Sequence, residues 1–100
     1  MNRTIHILFV CKGNIFRSMT AEYMMKQYLY EHNIHGFHIA SAGIEARPRP
    51  MDPFLFQDLK QRNIDVSGHH QTKLTKEILD QQDIVIAMGY NHRDFIKENW

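Results

Sequence analysis

An apolar run that breaks at a thiol, turns through a glycine and reaches an arginine six positions later constrains this chain more than any other feature. The stretch is ILFVCKGNIFRSMTAE, Ile7 to Glu22, and Cys11 is the only cysteine in the sequence. Branched and aromatic residues from Thr4 to Val10 predict a strand apolar enough to be covered on both faces. Residues 12 to 17 must then turn the chain into a helix that starts near Ser18. Such a strand–loop–helix turn points successive backbone N–H groups inward and aims a helix N-terminus at the same spot, which makes an anion cradle. Gly13 and Asn14 are residue types that tolerate the positive-φ backbone such a nest uses. Arg17 adds a planar fork able to hold two phosphate oxygens.

A lone cysteine in an apolar run is ordinarily a small buried hydrophobe, and a lone arginine after a turn is ordinarily solvated. Their joint placement, with Gly-Asn between them, Ser18 next and a helix following, favours chemistry instead. In that positive potential Cys11 is expected to be a thiolate nucleophile at neutral pH, with Ser18 donating a hydrogen bond to the sulfur. The reaction this allows is in-line attack on a phosphate monoester, giving a phosphocysteine that water hydrolyses. Loop amides and Arg17 would stabilise charge on the equatorial oxygens.

The rest of the chain alternates in kind. Apolar residues at Ala21, Met24, Met25, Tyr28 and Leu29 repeat at the helical period, to about Glu31 or His32. Phe37 to Ala42 reads as a second strand, followed by a basic, proline-containing loop around Arg47 and Arg49. Asp52 and Pro53 read as an N-cap and first helical position, opening a helix through about Arg62. Thr75 caps a short helix, Asp83 to Met88 is a third strand, and a last helix begins near Asn91. Strands alternating with helices imply a three-layer α/β/α domain with a parallel sheet of at least three strands and right-handed crossovers. Ligands of such sheets bind at the carboxyl ends of the strands, where Cys11 lies. One hundred residues suffice for a single domain.

Several classes are excluded or disfavoured. The net charge is +1, which gives no general attraction to nucleic acid. The longest apolar runs, such as ILFVC, are too short to insert in a membrane. A single cysteine fits a reducing cytoplasm and cannot make an internal disulfide. Seven scattered histidines without HExxH or CxxC predict no metal site, and no cofactor is implied.

The loop resembles that of the low-molecular-weight protein tyrosine phosphatases, V-C-x-G-N-x-C-R-S-P-x-A-E, through Val10, Cys11, Gly13, Asn14, Arg17, Ser18, Ala21 and Glu22. SAG at Ser41–Gly43, MDP at Met51–Pro53, IDVSGH at Ile64–His69 and DIVIAM at Asp83–Met88 extend the resemblance over nearly the whole chain. It implies a phosphatase acting on phosphotyrosine proteins or small aryl phosphates, with Cys11 as nucleophile, Arg17 as phosphate clamp and Ser18 as thiolate stabiliser. Lys12, Gly13, Asn14, Ile15 and Phe16 would complete the phosphate loop. Asn14, Ser41 and His69 would form the network that holds it. Read alone, His69 is a surface loop histidine.

The departures matter too. The family's general acid, an aspartate before a proline, is expected beyond these 100 residues, so the domain is expected to lack its C-terminal part. Asp52-Pro53 falls at the helix-start position and is adequately explained as a cap. A weakened, phosphate-binding regulatory protein is therefore an alternative. Phe16 replaces the loop's second cysteine, removing a reversible disulfide and arguing against the related arsenate reductases, which need further cysteines. Met19 replaces a proline at the helix start. Arg47-Pro48-Arg49 reads as a solvated turn or, alternatively, as a preference for acidic or multiply phosphorylated substrates. If a fourth strand is missing, the unpaired edge of the third is expected to promote self-association.

Overall fold

The computed structural model describes residues 3–100. Three parallel strands lie in the order β2-β1-β3: β1 at Ile5–Cys11, β2 at Phe37–Gly43 and β3 at Ile84–Ala87. The helices are α1 (Arg17–Glu31), α2 (Pro53–Gln61), α3 (Lys76–Asp80) and α4 (Tyr90–Asn99).

Strand geometry explains the layers. Successive side chains of β1 point to opposite faces. Ile7 and Phe9 on one face join Ile39, packed by Ala21, Met25 and Leu29 of α1. Leu8 and Val10 on the other join Ala42 and Leu74, packed by Ile78 and Leu79 of α3 and Ile96 of α4. α2 backs α1, through Leu59 against Met19 together with Ile64 and Val66. Helices thus cover both faces of a parallel sheet, the expected α/β arrangement.

Local chemistry sets the boundaries. The Asp52 carboxylate accepts from Phe54 N–H at 2.8 Å, with Pro53 at the first helical position. Thr75 Oγ1 accepts from Ile78 N–H at 3.2 Å. Both α1 and α2 end in an Asn-Ile pair whose asparagine is left-handed, Asn33 at φ 53° and Asn63 at φ 62°. Ile34 N–H then reaches the Leu29 carbonyl, and Ile64 N–H the Leu59 carbonyl, each at 2.9 Å.

One packing expectation is overturned. The periodic residues Met24 and Tyr28 of α1 are exposed, while Ser18, Met19 and Glu22 are buried. The helix is rotated so that its first turns carry polar groups inward, beneath the loop that follows β1.

Candidate active site

β1 ends at Cys11 and α1 begins at Arg17, so five residues make the turn. Phe16 occupies the N-cap position of α1 and no side chain caps that helix. The amides of Gly13, Ile15, Phe16 and Arg17 make no hydrogen bond to described protein atoms. They are orphan donors of a helix start and its preceding turn, the arrangement that attracts an anion. Cys11, Lys12, Gly13, Ile15, Phe16, Arg17, Glu45, Arg47 and Arg49 line a cavity of about 550 Å³ over the sulfur.

Beneath the loop lies a buried polar chain with Asn14 as its hub. Asn14 is fully buried and left-handed at φ 55°. Its N–H donates to Cys11 Sγ at 3.3 Å. Its carboxamide donates to Ser18 Oγ at 3.0 Å and to Ser41 Oγ at 2.7 Å. Its Oδ1 accepts from Thr72 N–H at 2.8 Å, which fixes the amide's orientation. Its carbonyl accepts from His69 Nε2 at 2.7 Å.

Those bonds give the chain a direction. Ser41 O–H donates to the Glu22 carboxylate, which Lys26 also meets. Ser18 Oγ, which accepts from Asn14, lies within hydrogen-bond reach of Cys11 Sγ, 2.9 Å away. The sulfur thus sits between the Ser18 hydroxyl and the Asn14 amide, which donates to it. His69 is held by Asn14 and by an edge contact with Tyr23 at 5.6 Å between ring centroids.

The residues expected to form the loop and its supporting network thus lie together. Lys12, Gly13, Ile15, Phe16 and Arg17 line the cavity around Cys11. Asn14, Ser18, Ser41 and His69 lie in the network below. The role expected of Gly13 changes. The left-handed residue is Asn14, and Gly13 is not among the positive-φ positions. Gly13 instead leaves room for Arg49, whose terminal nitrogen fills the space that a Cβ at that site would need. Asp52 is a helix cap and does not line the cavity.

Four participants carried no signal strong enough to assign them. Glu22 lies four residues after Ser18, on the same helix face, and that spacing was its one available clue. Thr72 acts through its backbone N–H, so no residue type could reveal it. Glu45 reaches the rim, pairing with Lys12 at 3.5 Å. His92 of α4 is fully buried, and neither ring nitrogen has a partner among the described residues. Burial first, and the Arg17 guanidinium second, push its imidazole below the ordinary value. Among the described residues, no group of three His, Cys, Asp or Glu could hold a metal ion. No helix is long and apolar enough to cross a membrane.

Comparison with known proteins agrees with this geometry. The sequence profile of the low molecular weight phosphotyrosine protein phosphatases matches residues 6–99. A low molecular weight protein-tyrosine-phosphatase of Acinetobacter johnsonii is 36% identical over 96 residues, covering 95% of this chain and 64% of the relative. An arsenate reductase of Staphylococcus aureus is 35% identical over 82 residues, covering 82% of this chain and 58% of the relative. Among solved structures, a YwlE arginine phosphatase variant, with serine for cysteine and that active-site serine phosphorylated, superposes with TM-score 0.85. It is 29% identical, over 94% of this chain and 61% of that one. The chain spans less than two thirds of the length of each of these relatives.

Proposed function

Since this chain belongs to the low molecular weight phosphotyrosine protein phosphatase family, we propose that it is a cysteine-dependent phosphomonoesterase of phosphotyrosine proteins and small aryl phosphates. Residues 1–100 would act as one phosphatase-like domain. The observation that carries the reading is the sulfur's environment: Cys11 Sγ lies 2.9 Å from Ser18 Oγ and accepts from the Asn14 amide at 3.3 Å, beneath loop amides that have no partner among the described residues.

The reaction runs in two displacements. A phosphoryl group enters the loop, where the free amides and the Arg17 fork meet its equatorial oxygens. The Cys11 thiolate attacks phosphorus in line, forming the S–P bond as the P–O bond to the leaving alcohol breaks. Ser18 O–H continues to stabilise the sulfur when water attacks phosphorus and the S–P bond breaks, releasing phosphate and the thiolate. Among the described residues Glu45 is the one carboxylate lining the cavity, and it is paired with Lys12. The leaving oxygen therefore draws its proton from solvent unless an acid is supplied, so aryl phosphates, with their stable leaving groups, are the first substrates to test. The phosphorylated active-site serine of the YwlE variant supports a nucleophile in this loop position.

The relatives suggest two rival substrates. Arsenate reduction draws electrons from further thiols, so arsenate reduction in a thiol-supplied assay is the rival to run beside hydrolysis. A phosphoarginine side chain would carry its own cationic group toward Lys12, Arg47 and Arg49 at the cavity mouth. The weakened, phosphate-binding alternative is separated from the enzyme by turnover itself. p-Nitrophenyl phosphate should be hydrolysed with saturation, and Cys11→Ser and Arg17→Ala should each abolish this. Acid quench during turnover should trap one phosphate on Cys11 by mass spectrometry. Binding of phosphate without turnover would overturn the enzymatic reading.

We further propose a cytoplasmic location, which suits a thiol that must stay reduced, and self-association through the edge of β3, whose Ile84, Val85 and Ile86 are all exposed.

A further inference from the structure

The rim of the cavity is built by the segment that leaves β2. Ile44 N–H donates to the Cys11 carbonyl at 3.0 Å and Glu45 N–H to the Lys12 carbonyl at 2.8 Å, so strand pairing continues past both strand ends. Gly43 permits the approach, since a Cβ there would lie 2.6 Å from the Lys12 carbonyl oxygen and 2.8 Å from the Asn14 nitrogen. Pro48 and Pro50 bias the residues before them, Arg47 and Arg49, toward extended backbone. Both arginines line the cavity. Arg49 lies against the phosphate loop itself, its guanidinium occupying the space a side chain at Gly13 would need.

The charges here are unevenly neutralised. Lys12 is paired with Glu45 at 3.5 Å. Arg17 serves the phosphoryl group. Arg47 and Arg49 have no carboxylate partner among the described residues. Both are exposed and contribute nothing to the core clusters. Two like-charged guanidinium groups flanking an anion cradle repel each other, and a second anion beside the phosphoryl group relieves that repulsion. Ile15 and Phe16 supply apolar lining for an aryl ring, so the cationic side is left to meet what flanks the ring.

Resting on the phosphatase reading, we infer that Arg47 and Arg49 form a second anion subsite, which selects phosphotyrosine peptides carrying acidic neighbours over otherwise identical neutral ones.

Two phosphotyrosine peptides differing in Glu against Gln at the flanking positions test this. In the full chain carrying Cys11→Ser, which binds without turning over, the Glu peptide should bind about tenfold more tightly at low salt, as two partly exposed charge contacts allow. The ratio should fall to near one in Arg47→Gln/Arg49→Gln on the same background, and at molar salt. Equal affinities for the two peptides, or a ratio that survives the double substitution, would overturn the subsite. Turnover of p-nitrophenyl phosphate by the unsubstituted chain reports separately on the phosphatase reading. Active enzyme without the Glu preference overturns this inference alone. An inactive chain that keeps the preference overturns the phosphatase reading and leaves the subsite standing. Failure to bind either peptide overturns both.

Discussion

β1 has two neighbours in the sheet, and the chain uses them differently. β2 pairs with it from Ile5↔Phe37 to Cys11↔Gly43, and the pairing carries on into the phosphate loop. β3 pairs only from Ile7↔Ile84 to Val10↔Ala87 and stops short of the sulfur. Beside β2 the groups are saturated: buried Ser41, half-buried His69 and the backbone N–H of Thr72 all bond to Asn14. Along β3, Ile84, Val85 and Ile86 are 47%, 37% and 39% exposed. The contrast says where rigidity is concentrated: the loop after Cys11 is braced from one flank, and among the described residues the other flank is an edge. Chemistry should therefore be sensitive to small changes on the β2 side and indifferent to larger ones along β3.

The largest expected effect is that of Asn14→Ala. The substitution removes three side-chain hydrogen bonds, leaving Ser18, Ser41 and the Thr72 amide without that partner. Each buried polar group left unsatisfied costs about 1–3 kcal/mol, and alanine at a left-handed position costs roughly 1–2 kcal/mol more. The urea midpoint should drop markedly, and kcat/KM on an aryl phosphate should fall on the order of 10²-fold, as when a preorganised donor is lost. A variant with near-normal midpoint and activity would mean that the β2 flank does not brace the loop.

That hub also marks how far sequence reasoning reaches. Cys11, Arg17 and Ser18 were legible because a strand end, a turn and a helix start must follow one another locally. The helix boundaries at Asp52-Pro53 and Thr75 were legible for the same reason, since capping needs only near neighbours. The face of α1 was legible in part. Its apolar period pointed to Ala21, Met25 and Leu29, which pack against the sheet. It pointed also to Met24 and Tyr28, which are exposed, while Ser18 and Glu22 are buried in the network beneath the loop. Thr72 contributes a backbone N–H from a residue 58 positions away from Asn14. Nothing in its side chain announces that. His92 was equally silent, since its environment is made wholly by tertiary packing.

His92 sharpens the comparison, because through it the β3 flank comes under the influence of Arg17. Burial and then the Arg17 guanidinium hold its imidazole below the ordinary value. The folded chain consequently binds this proton less readily than the unfolded chain, so stability rises with pH across the window. The contribution is present above the unfolded value of about 6.5 and is lost as pH falls from there toward the lower folded value. The melting temperature should decrease between pH 7 and pH 5, and His92→Leu should flatten that decrease. Parallel declines in both proteins would assign the acid sensitivity to other groups and leave β3's flank without a link to the site.

The smallest effect on chemistry is expected at the edge itself. Val85 is partly exposed on β3, outside the cavity and outside the Asn14 network. Val85→Lys should leave kcat/KM on an aryl phosphate within about twofold and change stability by about 0.5 kcal/mol or less, the usual range for surface substitutions. Its consequence should appear in assembly. An unpaired strand edge carrying apolar side chains templates pairing with a second copy, and a lysine there opposes it through charge. Sedimentation over a concentration series should show the unsubstituted chain growing in mass and Val85→Lys remaining monomeric. A monomer at every concentration would remove self-association at this edge while leaving the site untouched. Loss of activity in Val85→Lys with an intact fold would be the more damaging result, because it would show that β3 braces the phosphate loop after all.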